Sequence, residues 1–248
     1  MKALVLDCDG VLIDSARESF AVARCAYLDL SPGSDLRDRD ESTLRERFVE
    51  LMPLGNRAED LGAVLRALDT GFPLPDQQAY DQFRASCGED WLANYHRRFY
   101  EVRDALAAAS PESWQRLMQP YAPLVRILSA REGEVAYALA TAKDRRSVDA
   151  IFAFHGLTKL FPEQLILDKE TGANKAAHLT RLRDLLGLPF EELTFVDDKV
   201  NHLDTVSPLG VRCVLAAWGY NGPREHALAE ERGYLVCTLD DVEARLFD

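Results

Sequence analysis

Residues 1–15 read MKALVLDCDGVLIDS, an apolar run that stops on two aspartates one residue apart, Asp7 and Asp9, followed by Gly10. A strand that ends in two mutually repelling carboxylates needs something to hold them there, because like charges a few ångströms apart raise each other's pKa. The second half of the chain supplies more strand ends of this kind. EVAYALAT (134–141) reads as a buried strand closing on Thr141, LIL (165–167) as a short strand and LTFVDD (193–198) as a strand ending in Asp197 and Asp198. VRCVLA (211–216) reads as another strand and YLVC (234–237) as an edge strand. Between them lie helical patterns: YAPLVRILSAREG, closed by Gly133; residues 144–155; and NKAAHLTRLRDLLG (174–187), ending on glycine.

Buried strands alternating with helices predict an α/β fold, a Rossmann-like parallel sheet covered on both faces. In such sheets ligands bind at the carboxyl ends of the strands. Asp7, Asp9, Thr141, Asp197 and Asp198 are then expected on one edge, with Lys175 at the start of a helix beside it. Four carboxylates in one cleft call for a hard divalent cation. Mg²⁺ takes oxygen ligands together with substrate phosphate, so a phosphoryl group is the expected partner.

Residues 16–119 have a different texture. ARESFAVARCAYLDL, ESTLRERFVELM, AEDLGAVLRALDTG and DWLANYHRRFYEVRDALAAA look helical, separated by SPGSD, GFPLPD and SPES turns, and no run alternates as a strand. The expected division is a core of residues 1–15 plus 120–248 and an inserted α-helical cap of residues 16–119 that chooses the substrate. His96, Arg97, Arg98 and Arg103, near Trp91 and Tyr95, form either a recognition cluster or the charged face of an amphipathic helix.

Composition narrows the function further. Lys and Arg number 29 against 41 Asp and Glu, a formal charge of −12, the wrong sign for a nucleic-acid binder. No apolar stretch reaches 18 residues, so no membrane partner is expected. The first residues lack the basic flank and cleavage site of a secretory signal. Cys8, Cys25, Cys87, Cys213 and Cys237 are odd in number and without a CxxC pair, against a disulfide framework or a structural zinc site. A reducing cytoplasm fits best, and the oligomeric state is not legible.

Each motif has a plainer reading by itself. Asp-Gly after a strand is a common turn, Asp197 and Asp198 could cap a helix, Thr141 could cap the helix near Asp144, and Lys169 competes with Lys175. Their conjunction, in this order and at these strand ends, is what points to a site.

The same residues resemble the haloacid dehalogenase superfamily of aspartyl-nucleophile phosphotransferases. LVLDCDGVLIDS is similar to its first motif, ALAT to the second, NKAAHL to the third and FVDD to the fourth; LAAWGYN resembles a loop of phosphoglycolate-phosphatase-like members, and the long helical segment resembles the helical cap of the first type. The resemblance implies a Mg²⁺-dependent phosphatase acting on a small phosphorylated metabolite. Asp7 would be the nucleophile and Asp9 the general acid and base, its carbonyl also on the metal. Thr141 and Lys175 would hold phosphoryl oxygens, with Asp198 the direct metal ligand and Asp197 an outer or alternate one. Asp9 itself favours phosphate esters, since members that cleave carbon–halogen bonds lack a carboxylate there. His202 stands where a further carboxylate is usual, and Lys199 where a small residue is. A phosphomutase using the same aspartyl-phosphate, or a catalytically idle binding relative, are the alternatives.

Overall fold

Ala3–Leu6 form β1, whose four side chains are all fully buried, as a strand covered on both faces requires. The computed structural model describes residues 1–247. Two antiparallel residues on each side, β2 (Ile13–Asp14) and β3 (Gln119–Pro120), make a small ribbon. β4 (Ala136–Ala140) and β5 (Ile166–Leu167) lie on one side of β1, and β6 (Leu193–Asp197), β7 (Arg212–Ala216) and β8 (Leu235–Cys237) on the other. Every pairing in this six-stranded sheet is parallel, in the order β5-β4-β1-β6-β7-β8. After β5 the chain returns past β1 to build the other half, so the order reverses beside β1, the place where open α/β sheets bind ligands.

The chain divides into two compact units: Met1–Ser15 with everything from Met118 onward, and Ala16–Leu117. The first holds the sheet. On one face, Ala3, Val5, Ala138, Ala140, Phe195 and Leu215 from the strands share a core with Leu179, Leu182 and Leu203 from helices. The expected helix closed by Gly133 ends earlier, at Ala130, because the backbone turns through Arg131–Glu134 with Gly133 at φ +86. Of LIL, Leu165 belongs to a 3₁₀ turn and only the last two residues pair as strand.

Residues 16–117 are helical, with α1 (Ala16–Leu30), α2 (Glu41–Leu51), α3 (Ala58–Thr70), α4 (Gln77–Ser86), α5 (Glu89–Ala109) and α6 (Pro111–Gln115). The sequence pattern misses α4, whose buried face is only Tyr80 and Phe83 amid polar residues. In this unit α1, α3 and α5 pack on one another. Gly62 lets α3 lie directly on Tyr95 of α5: a Cβ there would come within 2.6 Å of the ring. The Tyr95 hydroxyl donates to the Ala23 carbonyl of α1 at 3.0 Å. The basic residues of α5 are engaged by acids of the same unit. Arg98 meets Asp29 at 2.6 Å, Arg103 meets buried Glu18 at 2.9 Å and His96 Nδ1 meets Glu59 at 2.8 Å. That pattern suits a helix with a charged face.

The remaining helices belong to the sheet unit: α7 (Ala122–Ala130), α8 (Arg145–His155), α9 (Lys175–Leu186), α10 (Val200–Val206), α11 (Pro223–Glu231) and α12 (Val242–Phe247). No helix among the described residues is long and apolar enough to cross a membrane.

Candidate active site

The parallel register brings the strand ends together. Leu6 lies opposite Leu139 on one side and Val196 on the other, so one residue further Asp7 is level with Ala140 and Asp197. The Asp7 N–H donates to the Val196 carbonyl at 3.0 Å, and then the chain turns sharply. Leu12 and Ile13 both donate to the Cys8 carbonyl, and the Cys8 N–H donates to Asp7 Oδ1 at 2.7 Å. Gly10 allows this turn twice over. Its φ is +81, and a Cβ there would lie 2.3 Å from Asp198 Oδ2. Asp198 is thereby seated directly against the first loop.

Lys175 opens α9, whose cap is Asn174 accepting the Ala177 N–H at 3.0 Å. Its ammonium is 6% exposed and has exchanged water for three oxygens: Asp7 Oδ1 at 2.7 Å, the Ala140 carbonyl at 2.7 Å and Asp197 Oδ2 at 3.3 Å. Lys169 instead lies half-exposed, 3.7 Å from Glu170. Lys175 is thus the lysine that meets the carboxylates. Thr141 directly follows β4 and is buried; its Oγ1 accepts the Lys143 N–H at 3.1 Å, which directs the hydroxyl proton elsewhere. It does not cap α8, because Asp144 does, accepting the Ser147 N–H at 2.8 Å. Nor do Asp197 and Asp198 stand at the N-cap of α10, which is Lys199.

Burial pushes the Asp7 carboxyl up despite Lys175, and Asp197 adds to the rise. For Asp197 burial acts in the same upward sense but is outweighed: His202, with Nδ1 3.0 Å from Oδ1, and Lys175 hold it well below the usual range. Burial lowers Lys175, yet Asp7 and Asp197 prevail and raise it. Asp198 is the exposed nerve of the cluster. Burial, and then Asp197, push it up to about 7 although the Tyr220 N–H donates to Oδ2 at 2.8 Å. Cys8, fully buried, is pushed far up by burial and has no thiolate to offer.

The cluster could hold a metal ion. Asp7, Asp197 and His202 present ligand atoms within 4.8 Å of one another, and Asp198 adds a buried carboxylate whose charge the protein only partly compensates. Carboxylate oxygens are what Mg²⁺ binds.

Asp9 pairs with a different lysine from Asp7. Its side chain is about one-third exposed, with Oδ1 3.2 Å from the buried ammonium of Lys143. Lys143 escaped the sequence reading, because a lysine in such a loop is ordinarily solvated. His202, read as a departure from a pattern, is the partner of Asp197. Tyr220 also escaped, because only the fold brings it to Asp198, 22 residues away.

The family model for haloacid dehalogenase-like hydrolases matches residues 1–207. A search of curated proteins finds no match. Among solved structures, the chain is similar to a protein designated, by prediction, a phosphoglycolate phosphatase from Haemophilus somnus 129pt, at 19% identity and TM-score 0.66 over 99% of this chain and 97% of that one. It is similar to a provisionally assigned phosphoglycolate phosphatase from Lactobacillus delbrueckii subsp. bulgaricus at 12% identity and TM-score 0.71, over 99% of each chain. A provisionally assigned β-phosphoglucomutase from Thermotoga maritima follows at 16% identity and TM-score 0.59, over 99% of this chain and 98% of that one. At such identities the likeness speaks for the fold, including the inserted helical cap.

Proposed function

The chain belongs to the haloacid dehalogenase-like hydrolases, and from that premise we propose that it hydrolyses a small phosphate monoester through an aspartyl-phosphate on Asp7. The observation that carries the reading is the fixing of Asp7. The Cys8 N–H and the Lys175 ammonium both bond Oδ1 at 2.7 Å, which leaves Oδ2 as the attacking oxygen.

In the first half of the reaction Asp7 Oδ2 forms a bond to phosphorus while the ester P–O bond breaks, and Asp9 gives its proton to the departing alkoxide. In the second half Asp9, now a carboxylate, takes a proton from water as the water oxygen bonds to phosphorus and the P–Oδ2 bond breaks, freeing phosphate and Asp7. Lys175 and the Thr141 hydroxyl supply fixed donors for the non-bridging oxygens. Asp7, the Asp9 carbonyl and Asp198 would hold Mg²⁺, with Asp197 behind or beside them, and the ion would supply positive charge against the phosphoryl oxygens. Asp9 stands two residues from the nucleophile on a tight turn, exposed enough to meet a leaving group.

The test is turnover of 4-nitrophenyl phosphate with Mg²⁺, followed by phosphate release. Asp7→Asn, which keeps shape and removes the nucleophile, should lower the rate by at least ~10³-fold. Undiminished turnover in that variant removes the mechanism. Phosphate release without any bisphosphate activator separates hydrolysis from a mutase.

A further inference from the structure

The seat of Asp198 is built by a second loop as well as by β6. After β7 the chain folds tightly through residues 217–221, with the Gly219 N–H donating to Ala216 O and the Asn221 N–H to Gly219 O, each at 3.0 Å. Gly219 approaches so closely that a Cβ there would lie 2.3 Å from the Asp198 Cβ and 2.5 Å from the Gly10 carbonyl oxygen. The Tyr220 N–H holds Asp198 Oδ2 at 2.8 Å, and Asn221 Nδ2 holds the Asp198 carbonyl at 3.0 Å. His226 Nε2 in turn lies 2.7 Å from Asn221 Oδ1.

Tyr220 reaches the other way with its side chain. Its hydroxyl accepts the Ser15 N–H at 2.5 Å, lies 3.1 Å from Ser15 Oγ and donates to Asp14 Oδ1 at 3.4 Å. Beside it, Trp218 Nε1 donates to the Val11 carbonyl at 2.9 Å. Ser15 is 2% exposed and Tyr220 6%, so water does not readily replace these bonds. Asp14 pairs with Gln119 in the β2–β3 ribbon, and Ser15 is the last residue before the chain leaves for residues 16–117. One rigid ring, with two rotatable bonds and a hydrogen-bonded group at each end, therefore spans from Asp198 to the exit of the chain.

We propose that Tyr220 is a positioning residue that couples the carboxylate of Asp198 to the exit segment, so that a cation settling on Asp198 tightens the chain at Asp14 and Ser15. The proposal rests on Asp198 as a metal ligand. A shift of Asp198 toward a cation carries the Tyr220 N–H with it, and the ring transmits that shift to the acceptor of the Ser15 N–H. Linkage makes the effect reciprocal: an exit segment held by Tyr220 must raise cation affinity by the same factor.

The test measures Mg²⁺ binding by calorimetry and hydrogen exchange at the Ser15 amide, with and without Mg²⁺, in the wild type, Tyr220→Phe and Asp198→Asn. Phenylalanine keeps the ring and the backbone N–H and removes only the hydroxyl. In the wild type, Mg²⁺ should slow Ser15 exchange by about fivefold or more, the lower end of ordinary coupling between sites. Tyr220→Phe should bind Mg²⁺ more weakly by a similar factor and show no Mg²⁺-dependent change at Ser15, and Asp198→Asn should lose both responses. Mg²⁺-dependent protection that persists in Tyr220→Phe overturns the coupling, as does wild-type Mg²⁺ binding that leaves Ser15 unchanged. A wild-type protein that binds no Mg²⁺ overturns the metal reading itself, which keeps the two failures distinct.

Discussion

Replacing Lys175 with methionine keeps most of the length of the side chain and removes its charge. In the wild type the ammonium lies 2.7 Å from Asp7 Oδ1 and 3.3 Å from Asp197 Oδ2, nearly out of reach of solvent. At an effective dielectric of 20 those separations correspond to attractions of about 6 and about 5 kcal/mol. The cost of burying the ammonium offsets several kcal/mol of this, so the pair contributes far less than its gross Coulomb energy. Losing the cation while both carboxylates stay buried is another matter, and typically costs about 3–5 kcal/mol. The Ala140 carbonyl also loses its donor. The assay is urea unfolding in EDTA at pH 7.5, with amide exchange of β1 and β6 reporting the sheet unit by itself. Lys175→Met should lose about 3–5 kcal/mol there. The deficit should shrink as the pH falls, because Asp7 already binds its proton more readily than an ordinary carboxyl, and Mg²⁺ should restore part of it by replacing the missing charge. Wild type and variant agreeing within about 0.5 kcal/mol, a typical effect of a neutral surface change, would refute the view that this ammonium holds the cluster together.

Two further outcomes follow from the same geometry. Asp198 is raised from an ordinary 3.8 to about 7, so between those values the folded state binds more protons than the unfolded one and stability falls as pH rises, by on the order of 1.4 kcal/mol per pH unit at the steepest. Asp197, held low, works in the opposite sense only below its ordinary value, where its contribution is lost as pH falls. Urea midpoints in EDTA from pH 5 to 8 should therefore decline, and Mg²⁺ or Asp198→Asn should flatten the decline; a flat profile in the wild type contradicts the assignment. For catalysis, Asp9→Asn should slow alkyl phosphates by ~10²-fold more than 4-nitrophenyl phosphate, whose leaving group needs no proton. Equal losses on both substrates would place the proton elsewhere.

The sequence exposed most of the carboxylate edge because each piece of it sits at a boundary between textures. ALVL, AYALA and LTFV are uninterrupted apolar runs, and the residues that end them, Asp7, Thr141 and Asp197, are polar, so the strand ends could be read and the edge inferred. Lys175 was the faintest of these pieces, a lone lysine at the start of a helical pattern with Lys169 competing for its place, and only its order among the others marked it. What stayed hidden depends on contacts distant in sequence or on elements too short to have a period. Strands β2 and β3 have two residues each. Helix α4 buries only Tyr80 and Phe83, too few for an apolar stripe. The link from Tyr220 to Ser15 spans 205 positions, and neither residue type announces it. Lys143 sits in a loop where lysine is ordinarily solvated, and only the fold turns it toward Asp9.

The β2–β3 ribbon has a consequence for how such a chain changes over generations. Ile13 faces Pro120 and Asp14 faces Gln119, so the two ends of residues 16–117 are pinned side by side. To the sheet, the whole insertion is a hairpin loop of unusual length. The entropy of closing a loop grows only with the logarithm of its length, so a longer, shorter or wholly different segment could be grafted between the same anchors with little thermodynamic penalty to the sheet. The insert can be exchanged while the carboxylates, the lysine and the threonine stay where the parallel register put them.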